Sequence, residues 1–162
     1  TGAFVRPYSF SAAGRFSEGL ACVKEGNRSG FISPDGVIKL KFSTWGFYDG
    51  SACFTDYTRA VFSEGLAVVR EGRLMGFVDT SGTLRIPFQF DAADVFSEGM
   101  AVVQIGNLFG YVDKAGKVVI PPTYQNAYDF VDGLALVKSG SAYSYIDTAG
   151  KIVLSGVFDE RQ

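Results

Sequence analysis

The chain has 162 residues, enough to bury a core as one domain or one compact array. Hydrophobic residues at 47%, charged residues at 20% and a net charge of −2 exclude a disordered segment and argue against a nucleic-acid binder, since no basic cluster could neutralise phosphates. No apolar run nears the roughly 18 residues of a membrane-spanning helix, and the absence of histidine removes most triads, the commonest general base and most zinc sites, so neither cofactor nor metal is expected.

Along the chain the predicted elements repeat. Residues 1–15 read as the tail of a copy, because "GAFVRPYSFSAAGRF" aligns with the later "GTLRIPFQFDAADVF". The first full copy, residues 16–61, opens at Phe16 and gives a strand "LACV", a glycine turn "EGNR", a strand "GFIS", a turn "SPDG" and a strand "VIKL". It then carries extra residues within 41–61. The second copy, residues 62–95, has "LAVV", "GFVD" and "TLRI" in those places. The third, 96–129, has "MAVV", "GYVD" and "KVVI", and the fourth, 130–162, has "LALV", "SYID" and "KIVL". Phe16, Phe62, Phe96 and Phe130 are separated by 46, 34 and 34 residues, which sets a period of 34 with 12 additional residues in the first copy. Self-similarity at such a period marks a repeat architecture. No segment holds a 3.6-residue period for three turns, so a helix is hard to place.

Local chemistry supports this division. In "SPDG", "DTSG", "DKAG" and "DTAG" the first residue can accept a turn N–H, and Gly36, Gly82, Gly116 and Gly150 are expected at positive φ. The third strand runs into proline in the tail and in the second and third copies, where ladder pairing should stop. Its alternation is expected to turn Leu40, Ile86, Ile120 and Leu154 inward. Lys39, Arg85, Val119 and Val153 then face outward, two charged positions followed by two apolar ones. That switch suggests self-association, or cover by a partner or further repeats, at the Val119 and Val153 face. The expected fold is a single all-β domain over 1–162, a tandem array of three-stranded antiparallel units. An open stacked or spiral array is favoured over a small closed propeller-like ring, because propeller blades usually have four strands and three are evident.

With its copies aligned, the chain resembles the WG-repeat family, whose typical unit reads "F-x-E-G-L-A-x-V-x-x-x-x-x-W-G-[FY]-[IV]-D-x-x-G-K-x-[IV]-I-P-P-x-[YF]-x-x-A". Residues 96–127 match best, including "FGYVDKAGKVVIPPTYQNA". The tryptophan before glycine is replaced by Ser29, Met75, Phe109 and Tyr143, and one "WGF" stands in the insertion at Trp45, Gly46 and Phe47. The resemblance implies a mostly bacterial β-repeat used for binding or scaffolding, with no general catalytic activity.

Weighed residue by residue, catalysis has little support. Glu18, Glu64, Glu98 and Asp132 each precede a glycine and could be paired acid and base in a carboxylate-dependent hydrolase. Equivalent positions in a repeat have like environments, however, and working pairs need unlike ones. A turn role is favoured. Asp79, Asp113 and Asp147 lack the alternating oxygen ligands of a calcium loop, and turn capping accounts for them. Cys22 fills the slot of Val68, Val102 and Leu136 and reads as a small buried hydrophobe, with the redox state of Cys22 and Cys53 open. No signal peptide or initiator Met is seen, so the chain reads as processed or excised. Binding is expected at the insertion, "KFSTWGFYDGSACFTDYTRAV", with Trp45, Tyr48, Tyr57 and Arg59 as contact residues. The expected partner is a protein, with carbohydrate or cell wall as the alternative.

Overall fold

A computed structural model describes residues 10–25, 28–42 and 61–156. They form fifteen strands and, among the described residues, no helix. The chain divides into two compact units, Thr1–Gln89 and Phe90–Gln162. In the first unit β1 (Ala12–Ser17), β2 (Leu20–Glu25), β3 (Arg28–Ile32) and β4 (Ile38–Phe42) make one sheet in that order. A second sheet holds β5 (Leu66–Glu71), β6 (Leu74–Asp79) and β7 (Leu84–Phe90), the last reaching the unit boundary. The second unit contains β8 (Ala92–Ala93), β9 (Met100–Ile105), β10 (Leu108–Asp113) and β11 (Val118–Tyr124). Its other sheet has β12 (Asn126–Ala127), β13 (Leu134–Ser139), β14 (Ala142–Asp147) and β15 (Ile152–Gly156). None of these sheets closes into a barrel.

The repeat is therefore all-β and antiparallel, as its pattern requires, but three of the four sheets gain a strand, and β7 and β11 run on through Pro87, Pro121 and Pro122, where pairing is expected to stop. Just before Phe16, Phe96 and Phe130 a short segment pairs with the first long strand of the copy that the phenylalanine opens. Ala92 and Ala93 lie opposite Gln104 and Val103, and Asn126 and Ala127 opposite Lys138 and Val137. Two residues are too few to show an alternating pattern. What holds them is a side chain immediately upstream. Gly106 N–H donates to Asp91 Oδ2 (2.7 Å), and Gly140 N–H donates to Gln125 Oε1 (2.8 Å), tying the short strand to the hairpin turn it flanks.

Between the second and third strands the backbones come very close. A Cβ added at Gly76 would lie 2.5 Å from the Ile86 carbonyl oxygen, and one at Gly110 would lie 2.4 Å from that of Ile120. Only glycine fits without moving a strand. The "SPDG"-type turns also form as expected. Gly36, Gly82, Gly116 and Gly150 hold φ between 76° and 86°. Asp79 Oδ1 accepts from Ser81 N–H and Thr83 N–H, Asp113 from Ala115 and Lys117, and Asp147 from Ala149 and Lys151, all at 2.9–3.0 Å.

Each unit's core is a sheet-to-sheet junction. In the first, the transverse row Cys22–Phe31–Leu40, with Leu20, packs on Phe62, Ala67, Val69 and Val78 of the next sheet. In the second, Val102–Tyr111–Ile120, with Met100, packs on Phe130, Ala135, Val137 and Ile146. The anchor phenylalanine of one copy thus meets the second-strand aromatic of the copy before it. Phe31 and Phe62 have ring centroids 5.0 Å apart, and Tyr111 and Phe130 stand edge to face at 4.9 Å. Such pairs add about 0.5–1.5 kcal/mol beyond the area they bury.

Candidate interaction surfaces

The contact residues nominated from the sequence, Trp45, Tyr48, Tyr57 and Arg59, lie outside the described residues. What frames the insertion is described. It leaves from β4 and returns to Phe62, which is fully buried against Phe31. Cys22 occupies its expected core slot, but it is disulfide-bonded rather than a free thiol; the chain's other cysteine, Cys53, lies outside the described residues.

The four acidic positions have a definite geometry. Glu18, Glu64, Glu98 and Asp132 hold φ of 50–53°, and the glycine after each is also positive. Two successive left-handed residues make the tight two-residue turn whose twist suits a hairpin. A non-glycine residue there costs about 1 kcal/mol. The carboxylates offset this by reaching forward to the next copy. Gly65 N–H donates to Glu18 Oε2 (2.9 Å), while Asp132 N–H and Gly133 N–H donate to the two oxygens of Glu98 (2.7 and 2.8 Å). The serine one position earlier also reaches forward. Ser17 Oγ donates to the Phe62 carbonyl, and Ser97 Oγ to the Phe130 carbonyl (2.8 Å). Serine and glutamate thus form a polar latch that seats one repeat on its predecessor. Sequence reasoning placed these carboxylates at turns but assigned each to its own turn.

Other titratable groups are similarly engaged. The Ser81 hydroxyl, then backbone N–H donors and the Arg85 guanidinium, hold the Asp79 carboxyl well below the usual carboxylate range; Arg85 Nε lies 2.6 Å from Asp79 Oδ2. Burial pushes the Tyr111 hydroxyl far up, and it donates to the Tyr128 carbonyl at 2.8 Å. No cluster of three or more potential metal-ligating side chains occurs among the described residues.

Exposed apolar side chains occur along the chain, and those of β15 in the last repeat, with Val131, are the most open. Lys39, Arg85, Val119 and Val153 are all exposed, as the alternation requires. Leu40, Ile86 and Ile120 are buried, but Leu154 is 58% exposed, contrary to expectation. The reason is the junction. Leu40 and Ile120 are covered by the turns at Gly82 and Gly150 of the copy that follows, and strand alternation alone does not bury this column. The same shift affects the whole row Leu136–Tyr145–Leu154 and Leu134, partly open where their counterparts in the third repeat are closed. At the latch, Val131 replaces serine and is exposed, and Asp132 replaces glutamate. Those two substitutions are visible in the sequence and could have flagged the face.

Among known protein families, the model described as "WG containing repeat" matches residues 1–28, 75–109, 109–141 and 143–160, more than half of the chain. No curated protein matches. Among solved structures, the chain is similar to KlHsv2 with its loop 6CD replaced by a Gly-Ser linker, at 12% identity and a TM-score of 0.54. The likeness covers 85% of this chain and 49% of that one, so the chain spans about half its length, and it bears on fold alone. A plant lectin with two metal-binding sites from Cicer arietinum (13% identity, 93% of each chain) has a TM-score of 0.34. A 2S albumin seed protein from Dolichos (14%, 94% and 93%) has the same score. Both are too distant to bear on fold or ligand.

Proposed function

Because this chain belongs to the WG-repeat family, we propose that it is a non-catalytic interaction module whose partner is a protein. The observation that carries this reading is how its side chains are used. Glu18 and Glu98 hold backbone N–H groups of the following repeat, and Asp79, Asp113 and Asp147 hold those of their own turns. Carboxylates so engaged are matched to folding rather than to proton transfer. Several large apolar side chains are left exposed, among them Val131, Ile152, Val153 and Leu154, and such groups are the usual material of a protein contact. Trp45, Tyr48, Tyr57 and Arg59 of the insertion are the proposed contact residues, on sequence grounds: tryptophan, tyrosine and arginine dominate binding hot spots.

The test is capture from the native host by the parent chain and by Trp45→Ala, with thermal melting of both. Loss of a captured protein at unchanged melting supports the reading. Capture unaffected by Trp45→Ala removes the insertion as the site. Glycan binding that Trp45→Ala abolishes would transfer the site to carbohydrate. Turnover lost on changing one unrepeated Asp or Glu would overturn the non-catalytic reading altogether.

A further inference from the structure

We propose that Asp132–Gly133 is a site of spontaneous covalent modification, held in check by Glu98 of the preceding repeat. The backbone there attacks the aspartate side chain to give a succinimide and then isoaspartate. None of this depends on what the module binds. Before the turn glycine the successive copies carry Glu18, Glu64, Glu98 and then Asp132. The lost methylene changes the chemistry. The Gly133 nitrogen reaches Cγ of Asp132 by closing a five-membered ring, whereas a glutamate would have to close a six-membered one, which is far slower. Packing does not prevent the approach: a Cβ built on Gly133 would meet nothing within 4 Å beyond its chain neighbours.

The step needs no oxidant or reductant. The N–Cγ bond forms as a Cγ–O bond of the neutral carboxyl breaks, and the amide proton leaves with that hydroxyl as water. Water then reopens the ring. Cleavage of the N–Cγ bond restores aspartate, and cleavage of the original peptide C–N bond leaves the main chain running through Cβ and Cγ. That second product puts an extra atom into the turn that closes Val131 onto Leu134, where two backbone hydrogen bonds (2.9 and 3.2 Å) start β13.

What restrains the folded protein is the latch. Gly133 N–H, on the attacking nitrogen, donates to Glu98 Oε2 at 2.8 Å, and Asp132 N–H donates to Oε1 at 2.7 Å. One carboxylate thus grips the backbone on both sides of the Asp132 Cα and fixes the torsion that must turn before the nitrogen can face Cγ. Its negative charge also opposes loss of the amide proton. The other described Asp–Gly pair is restrained differently. Gly36 N–H goes to the Ser33 carbonyl (2.8 Å), and the Ser33 hydroxyl, then Val37 N–H, hold the Asp35 carboxyl below its usual range. An ionised carboxylate is a poor electrophile, so Asp35 is guarded within its own turn. Asp132 is guarded by another repeat, and its chemistry therefore reports whether that junction is closed.

Peptide mapping of the 162-residue chain after warm incubation at mildly acidic pH tests this, with isoaspartate at 132 as the readout. In the folded parent it should form at least about fivefold more slowly than in the same chain unfolded in urea. Glu98→Ala should raise the folded rate at least about fivefold, as expected when a hydrogen bond to a charged acceptor is released. Asp113→Ala loses two turn hydrogen bonds within the third repeat and should leave the rate at 132 unchanged, which separates the clamp from general loosening. Asp132→Glu should give no such product. If Glu98→Ala fails to fold, Glu98→Gln, which keeps an acceptor and loses the charge, should show a smaller rise, and no rise there overturns the proposal. A folded parent that reacts as fast as the unfolded chain also overturns it. So does a folded Glu98→Ala that matches the parent, reacts more slowly, or gains no more than Asp113→Ala.

Discussion

Ile120 and Leu154 hold the same place in successive repeats, close the same kind of cross-strand row, and follow nearly the same words, "KVVI" and "KIVL". One is 4% exposed and the other 58%. Nothing in either strand accounts for this. The difference is the neighbour: Ile120 lies under the turn at Gly150, and the anchor Phe130 packs against the row that Ile120 closes. In a stacked repeat, burial belongs to the junction, and a strand's own alternation decides only which face is offered to it.

The widest separation between a filled and an open junction should come from truncating apolar side chains. Phe130→Ala is expected to cost about 3–5 kcal/mol by denaturant unfolding, as for a fully buried aromatic. Leu154→Ala should cost less than about 1 kcal/mol in the same assay. Equal losses would mean that the last row is as well covered as the third. Next in size is the close approach of the second and third strands. Gly110→Ala places a methyl group against the Ile120 carbonyl and should cost about 1–3 kcal/mol. The fourth repeat has Ser144 at that position and pairs it with Ser155, so Ser144→Ala should be nearly neutral.

The latch predicts a smaller contrast. Glu98→Ala leaves two turn N–H groups to water and should cost about 1 kcal/mol, with Asp132→Ala costing less. An equal loss in both would show that the acid serves its own turn, not the following one. The smallest effect is a pH dependence at the turn pressed on Leu40. Asp79 is held below its unfolded value of about 4, so its contribution is fully present above that pH and is lost as pH falls through the folded value. Asp79→Asn should therefore flatten the acid limb of stability against pH, leaving the neutral region parallel to the parent's.

Much of this was legible in the sequence. The spacing of the anchor phenylalanines, the turn aspartates and the glycines after them report local rules, which act within a few residues and repeat with the chain. The outward column Lys39, Arg85, Val119 and Val153 follows from alternation alone, and all four are exposed. What escaped is what one repeat does to another. The forward reach of Glu18 and Glu98 depends on where the next turn lies, and so does the burial of Ile120 under the turn at Gly150. The two-residue strands escaped because pairing with the following copy, not their composition, makes them strands. The disulfide at Cys22 escaped because its slot otherwise holds valine or leucine. The insertion's aromatics were legible only as composition.

Those short strands also set where the molecule can be cut. Written as text, a copy runs from one anchor phenylalanine to the next. As a folded object the sheet starts several residues earlier, on Asp91 or Gln125, with a strand borrowed from the copy before. Text and object are out of phase by that overlap, like courses of brick laid with staggered joints. Excising residues 96–129 would leave a sheet without its first strand and a dangling strand meant for its successor. Duplicating a window of 34 residues within the regular copies from Phe62 onward, by contrast, leaves the sheets complete, because each copy arrives with the strand that the next one needs. An array built this way can lengthen by simple tandem copying, with no new edge to be repaired at the seam.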